Sequence, residues 1–275
     1  MIIDSHQHFW KYNSVRDSWI TDEMKVIQKD FLPLNLFPVL SEHHIEGCIA
    51  VQADQSENET RFLLDLANQY SFIKGVVGWV DLKQPDVEER LSFFSRNSSL
   101  KGIRHILQAE SNDFMLQKEF QNGISKLSKF NLAYDILIYP QQISNSIELV
   151  KKFPEQVFVL DHLAKPEIKK QYIDSWKRDI QMLAEHPNVY CKVSGMVTEA
   201  DWLQWDYNDF TPYLDHVLNS FGSKRLLYGS DWPVCLLAGN YQQVLSIAKD
   251  YFSKLSENEQ QDIFRNNAIQ AYNLQ

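Results

Sequence analysis

Ile2-Ile-Asp-Ser-His6-Gln-His8 opens the chain. It reads as a short strand, apolar at its start and closed by a His-x-His pair. Successive side chains of a strand point to opposite faces, so His6 and His8 point the same way and can grip one small object. Seven more runs of this kind follow: Gly47-Cys-Ile-Ala-Val-Gln-Ala53, Ile73–Asp81, Lys101–Gln108, Leu132–Ile138, Val157–His162, Val189–Ser194 and Arg225–Asp231. All are short and nearly continuously apolar, the pattern of parallel strands covered on both faces.

The intervals between them carry helical spacing. Glu59–Asn68 repeats apolar residues at three and four, and Asp86–Phe94 starts with an N-cap residue followed by acids in the first turn. Asn122–Phe130, Gln142–Lys152, Ser175–Glu185, Tyr213–Phe221 and Tyr241–Tyr251 follow suit, and Glu257–Leu274 is expected to complete the ring. Eight strands each followed by a helix predict an α/β fold, a (β/α)8 TIM barrel, as one domain over residues 1–275. The aromatic-rich span after the first strand, residues 9–44, is expected to form a lid at the barrel mouth.

Length and composition agree with this. A chain of 275 residues suits one barrel, and 44% hydrophobic with 23% charged residues is ordinary for a globular protein. A net charge of −9 argues against nucleic acid or an anionic membrane as partner. No apolar run of about 18 residues is present to span a membrane, and no basic-then-apolar leader opens the sequence. Cys48, Cys191 and Cys235 are widely spaced, which fits a reducing cytoplasm better than a disulfide framework. The expected partner is a small molecule. Self-association stays open, because the outer helices of a barrel can face either solvent or a second copy. Lys165-Pro-Glu-Ile-Lys-Lys170 reads as a solvated loop.

Barrel sites form at the C-terminal ends of strands. Those ends collect His6 and His8, Gln52, Trp79 and Asp81, Arg104 with His105 and Gln108, Asp135, Asp161 with His162, Lys192 with Ser194, and Asp231 with Trp232. A barrel that only held itself together would not need a polar group at nearly every strand end. The remaining histidines, His43, His44, His186 and His216, fall in expected helices or loops and read as surface or packing residues. His6 and His8 suit one divalent metal, zinc above others, and Asp231 can complete the set. A bound metal lowers the pKa of water, and Asp231 can take its proton. Ser194 reads as a strand-end hydrogen-bonding group, since no base is placed for it as a nucleophile.

Six motifs in order carry a resemblance: Asp4-Ser-His6-Gln-His8-Phe-Trp10, Val51-Gln52-Ala, Gly102-Ile-Arg104-His105-Ile-Leu-Gln108, Asp161-His162-Leu-Ala-Lys165-Pro166, Cys191-Lys192-Val-Ser194-Gly195 and Gly229-Ser-Asp231-Trp232-Pro233. The whole chain resembles the amidohydrolase superfamily, and within it the lactonase branch. The resemblance implies a distorted barrel that hydrolyses a lactone or a related ester-like or amide bond. It makes His6 and His8 the strand-one histidines, His162 the strand-six histidine and Asp231 the strand-eight acid that activates water. Metal-dependent members usually add a Lys or Glu on strand four or a His at the end of strand five. Here strand five reads Ala-Tyr-Asp135-Ile-Leu and strand four offers His105. That leaves one metal on His6, His8 and Asp231, or none.

The mechanism expected on this resemblance is water attack on a carbonyl, with Asp231, His162 and His105 as the catalytic set. Arg104, Gln52, Gln108, Lys192, Trp10, Trp79 and Trp232 are the expected substrate contacts, the tryptophans stacking on a sugar ring. A dicarboxylate such as a pyrone lactone calls for several arginines. Only Arg104 stands at a strand end, with Arg16 within reach from the lid, so a neutral sugar lactone and a place in carbohydrate metabolism are favoured. Pyrone-dicarboxylate hydrolysis, decarboxylation or amide hydrolysis on the same scaffold are the alternatives, ahead of a non-catalytic binding barrel.

Overall fold

In the computed structural model, which describes residues 1–275, eight parallel strands form one sheet in chain order. They are β1 (Ile2–Gln7), β2 (Ile45–Val51), β3 (Ile73–Gly78), β4 (Leu100–Ile106), β5 (Ala133–Leu137), β6 (Phe158–Leu160), β7 (Val189–Val193) and β8 (Leu226–Tyr228). The outer helices are α1 (Pro33–Glu42), α2 (Glu57–Gln69), α3 (Val87–Phe94), α4 (Lys118–Leu127), α5 (Ile143–Lys152), α6 (Asp174–Ala184), α7 (Tyr207–Phe221) and α8 (Tyr241–Phe252). Each predicted strand is present, and the fold is the expected TIM barrel.

Local chemistry sets the helices. Ser56 caps α2 by accepting from Glu59 N, and Thr60, Leu63 and Leu64 turn inward. Asn240 and Gln243 form a capping box on α8. In α5, Ile143, Ser146, Leu149 and Val150 face the barrel at helical spacing, and Lys151 and Lys152 lie at the C-terminal end of the helix dipole.

Two expectations need correcting. The segment after β1 lacks α-helix only from Phe9 to Leu32, where a short 3-10 helix spans Asp22–Ile27. Beyond it, α1 is a regular member of the ring with Leu36 and Leu40 buried. The C-terminal segment is not a ring helix, because α8 already fills the eighth place. It breaks at a π turn over Asp262–Asn266 and passes under the barrel. There Ala268, Ala271, Tyr272 and Leu274 pack with the inward residues Ile3, Ile49, Val51, Val77, Ala133, Val159, Tyr190 and Leu227. The C-terminus thus plugs the bottom of the barrel, and the mouth lies at the opposite end.

The barrel closes irregularly between β1 and β8, which are joined by a single bridge, Gln7 to Trp232, rather than a ladder. His8 N donates to Trp232 O (2.7 Å) and Asp231 N to His6 O (2.8 Å). Ser5 Oγ donates to Tyr228 O (2.7 Å). Below them sits Asp4. Its carboxylate accepts from His6 N (3.1 Å), Ser230 N (2.9 Å), Ser230 Oγ (2.6 Å) and Tyr241 Oη (3.1 Å). The register of β1 slips between Asp4 and Gln7. Strict alternation would put Ile3 and His6 on opposite faces. The slip lets both face inward, so the seam and the histidine pair are built by the same irregularity.

Candidate active site

The seam brings three donors together. His6 Nε2 and His8 Nε2 lie 3.2 Å apart, and Asp231 Oδ1 is 3.9 Å from the first and 3.4 Å from the second. All three side chains are buried. His8 has one tautomer available. Its Nδ1 lies 2.7 Å from the Val51 carbonyl, which can only accept, so Nδ1 carries the proton and Nε2 turns a lone pair to the cluster. Two imidazole nitrogens and a carboxylate oxygen are the donor types zinc prefers, and the cluster fits a single divalent cation. Gly229 permits the close approach of the two strands: a Cβ there would stand 2.7 Å from that of His6.

The charges are tuned by their surroundings. Burial works against ionisation of Asp231, but His162, His8 and His6 outweigh it and hold the carboxylate below its usual range. Burial also keeps His6 well below the ordinary imidazole range, against the pull of Asp161. It lowers His162 to about 4, against Asp231 and Asp161. Both rings are neutral at pH 7.

A layer of buried charge lies behind His6. Lys192 Nζ contacts Asp135 Oδ2 (2.5 Å), Asp161 Oδ1 (2.9 Å) and His6 Nδ1 (3.1 Å). Arg104 Nη1 donates to Asp161 Oδ2 (3.0 Å), its Nη2 donates to the Gln52 carbonyl, and Tyr272 Oη donates to Asp135 (2.8 Å). Two cations and two carboxylates balance in a buried layer. Asp161 is held well below the usual carboxylate range because Lys192 and Arg104 overcome the cost of its burial.

His162 enters from an unusual turn. β6 stops at Leu160, and His162, Leu163, Ala164 and Lys165 all have positive φ, between 50° and 58°. Four consecutive left-handed residues with none of them glycine are strained. The turn is held by Lys165 N to His162 O (2.7 Å) and Trp176 Nε1 to Leu163 O (2.8 Å). His162 Nδ1 meets Ser194 Oγ at 2.8 Å, which fixes the ring and gives Ser194 its role. Gly195, itself at φ +61°, is needed beneath it, since a Cβ there would lie 2.5 Å from His162 Nδ1.

These groups open into a cavity of about 310 Å3, lined by His8, His162, Asp231, Arg104, Gln108, Lys165, Trp10 and Trp19, with Ala53, Ile106, Ala109, Leu137 and Val234. Of the residues expected from sequence, His6, His8, Asp231, His162, Arg104, Gln108 and Trp10 gather in or directly behind this cavity. Others do not reach it. His105 points to the outer face of β4, where its Nε2 bonds Glu110 (3.0 Å), its ring stacks on Phe114, and Trp79 Nε1 reaches its Nδ1 (3.4 Å). Neighbours on a strand cannot both face inward, and Arg104 takes the inner side. Gln52 spends its Nε2 on the Arg104 carbonyl, Lys192 is enclosed beneath His6, and Trp232 packs on Phe9 and Phe31. Arg104 lines the cavity with its guanidinium already committed to Asp161 and Gln52.

Besides the apolar wall, two lining residues are absent from the expected site, Trp19 and Lys165. Trp19 comes from the loop after β1. Lys165, read as solvated, is only 16% exposed and pairs with Glu199 (2.9 Å). Burial opposes its charge, but Glu199 and Asp231 raise its pKa above the ordinary lysine value. Lys169 and Lys170, further along the same stretch, are exposed as expected. The three cysteines are buried and unpaired, and no helix is long and apolar enough to cross a membrane.

Comparison with known proteins places the chain in a family. The chain is 37% identical over 284 residues to the L-fucono-1,5-lactonase of Burkholderia multivorans, covering 99% of this chain and 96% of that protein. It is 36% identical over 240 residues to the L-fucono-1,5-lactonase of Burkholderia ambifaria, covering 87% and 82%. A crystal structure of an amidohydrolase from Burkholderia multivorans with bound zinc is similar over 100% of both chains, with a TM-score of 0.97 at 37% identity. Residues 3–274, nearly the whole chain, match the amidohydrolase family model, and the chain belongs to the amidohydrolase family.

Proposed function

We propose that this protein hydrolyses a sugar lactone, an aldonolactone of the L-fucono-1,5-lactone class. The observation that carries the reading is the pairing of Asp231 with His8, Oδ1 to Nε2 3.4 Å, on the wall of the cavity of about 310 Å3. The relatives at 37% and 36% identity support the substrate class. Cavity chemistry favours a neutral substrate over a pyrone dicarboxylate: Lys165 and Arg104 are its cations, and both already have carboxylate partners. Trp10 and Trp19 offer faces for the ring, while Gln108 and Lys165 offer polar atoms for its hydroxyls.

In this reading Asp231 takes a proton from water as the water oxygen bonds to the lactone carbonyl carbon. The neutral His162, accepting at Nδ1 from the Ser194 hydroxyl, donates from Nε2 to the developing oxyanion. The ring C–O bond then breaks, Asp231 returns the proton to the leaving alkoxide, and the product is the open hydroxy acid. His6, His8 and Asp231 would hold one divalent cation, zinc first, which supplies Lewis acidity when bound.

The test is acid release from a panel of aldonolactones, with and without chelator, for the wild type and Asp231→Asn. The expected result is lactone turnover that falls by about 10²–10⁴-fold in the variant with its fold intact. Near-normal turnover in Asp231→Asn removes it as the base. Turnover of an amide or a carboxylic acid with no sugar lactone opened sinks the lactonase reading.

A further inference from the structure

His6 stands between groups that demand opposite tautomers. Its Nδ1 lies 3.1 Å from Lys192 Nζ and 3.2 Å from Asp161 Oδ1. An ammonium can only donate, so the first contact needs a bare Nδ1 and the ring proton on Nε2. A carboxylate oxygen can only accept, so the second needs the proton on Nδ1 and a bare Nε2. A neutral imidazole has one N–H and cannot answer both.

The other nitrogen faces the same choice. His8 Nε2 is bare because the Val51 carbonyl holds the His8 proton at Nδ1. At 3.2 Å, two bare nitrogens repel, so His8 asks for a proton on His6 Nε2. Arg104 Nη1, 3.3 Å away, can donate only to a bare Nε2. Lys192 and His8 therefore favour one tautomer, Asp161 and Arg104 the other. Asp161 Oδ1, although 2.9 Å from Lys192 Nζ, is a buried oxygen without an aligned hydrogen bond, so it can accept from His6 Nδ1.

We propose that Lys192 and Asp161 are positioning residues that hold His6 in two alternative tautomers: Nε2–H, backed by Lys192, in the metal-free protein, and Nδ1–H, backed by Asp161, when both Nε2 atoms are committed to a divalent cation. The ring keeps its charge, and only the place of its proton changes. Lys192 thereby competes with cation binding and Asp161 promotes it. Lys192 is itself fixed by Asp135, which Tyr272 of the barrel plug holds in place. The inference rests on the fit of His6, His8 and Asp231 to a cation and leaves the substrate open.

The test is 15N NMR of histidine-labelled full-length protein, stripped by chelator and then titrated with zinc, with the His6 signals assigned by comparison with His6→Gln. The stripped protein should show His6 protonated at Nε2, and the zinc-loaded protein at Nδ1. Lys192→Met should shift the stripped protein to the Nδ1–H form and tighten zinc binding by roughly tenfold. If that variant does not fold, the two wild-type spectra decide. A stripped His6 already in the Nδ1–H form overturns the proposal, as does a His6 spectrum that zinc leaves unchanged. Lactone turnover measured on the same samples is read separately. Turnover without the tautomer change leaves the proposed function standing and removes this inference, and the tautomer change without lactone turnover does the reverse.

Discussion

Asp4→Ala should open the seam that holds the site together. In the wild type one carboxylate satisfies two backbone N–H groups, His6 and Ser230, and two hydroxyls, Ser230 and Tyr241, all buried. The hydroxyls can rotate towards other partners after the change, but the backbone N–H groups cannot. Each buried donor left unsatisfied costs about 1–3 kcal/mol, so the two together cost about 2–6 kcal/mol. For a domain of this size, about 4 kcal/mol corresponds to a fall in Tm of roughly 8–16 °C. Ser5→Ala is the internal control. It removes one bond at the same seam, to the Tyr228 carbonyl, and should cost about 1 kcal/mol, or roughly 2–4 °C. Thermal unfolding followed by circular dichroism measures both. A Tm for Asp4→Ala within about 2 °C of wild type, or equal to that of Ser5→Ala, refutes the view that Asp4 ties β1 to β8.

Two further comparisons test other parts of the structure. Burial raises Glu59 to about 7, opposed by the Ala53 N–H and Arg16, so the folded protein holds this proton more tightly than the unfolded chain. Its contribution is therefore full below the unfolded value of 4.5 and is lost as pH rises through about 7, a loss on the order of 3 kcal/mol by pH 8. Glu59→Gln should raise Tm at pH 8 and not at pH 4.5, and a difference that does not vary with pH removes the argument. Gly195→Ala drives a methyl group into the His162 ring and should lower kcat by at least about tenfold, whereas Gly222→Ala, at φ +68° with nothing within 4 Å, should lower Tm alone. Equal activity in the two variants would separate Gly195 from the positioning of His162.

The barrel was legible in the sequence because burial on both faces writes a nearly continuous apolar run for each strand. The cluster was legible because His6, His8 and Asp231 follow such runs. What one strand cannot show is which of two adjacent polar residues faces inward. Arg104 and His105 are equally polar. The register that pairs Arg104 with Asp135 turns one toward the axis and the other toward Phe114 and Glu110. Asp4 was hidden for a different reason. Its partners Ser230 and Tyr241 are 226 and 237 residues away, and nothing local marks an acid as the closure of a barrel.

The turn after β6 explains why Lys165 is not the solvated residue that its sequence suggests. Left-handed backbone is normally announced by Gly or Asn, and His162-Leu-Ala-Lys165 contains neither. At roughly 1–2 kcal/mol per residue, four such residues cost more than a solvated loop would need to spend. The left-handed path keeps His162 within 3.9 Å of Asp231 and brings Lys165, three residues later, back to the same cavity. The strain is offset where the turn is covered, by Trp176 on the Leu163 carbonyl, Ser194 on the His162 ring and complete burial of Leu163 and Ala164. Left-handed backbone also occurs at His44, Asn131, Gln171 and Asn273, but at the site it marks two places, the β1–β8 seam and this turn. Asp231 is the residue they share: at φ +57° it follows the seam and faces the turn. The site's geometry is therefore set less by the regular barrel than by the two departures from it.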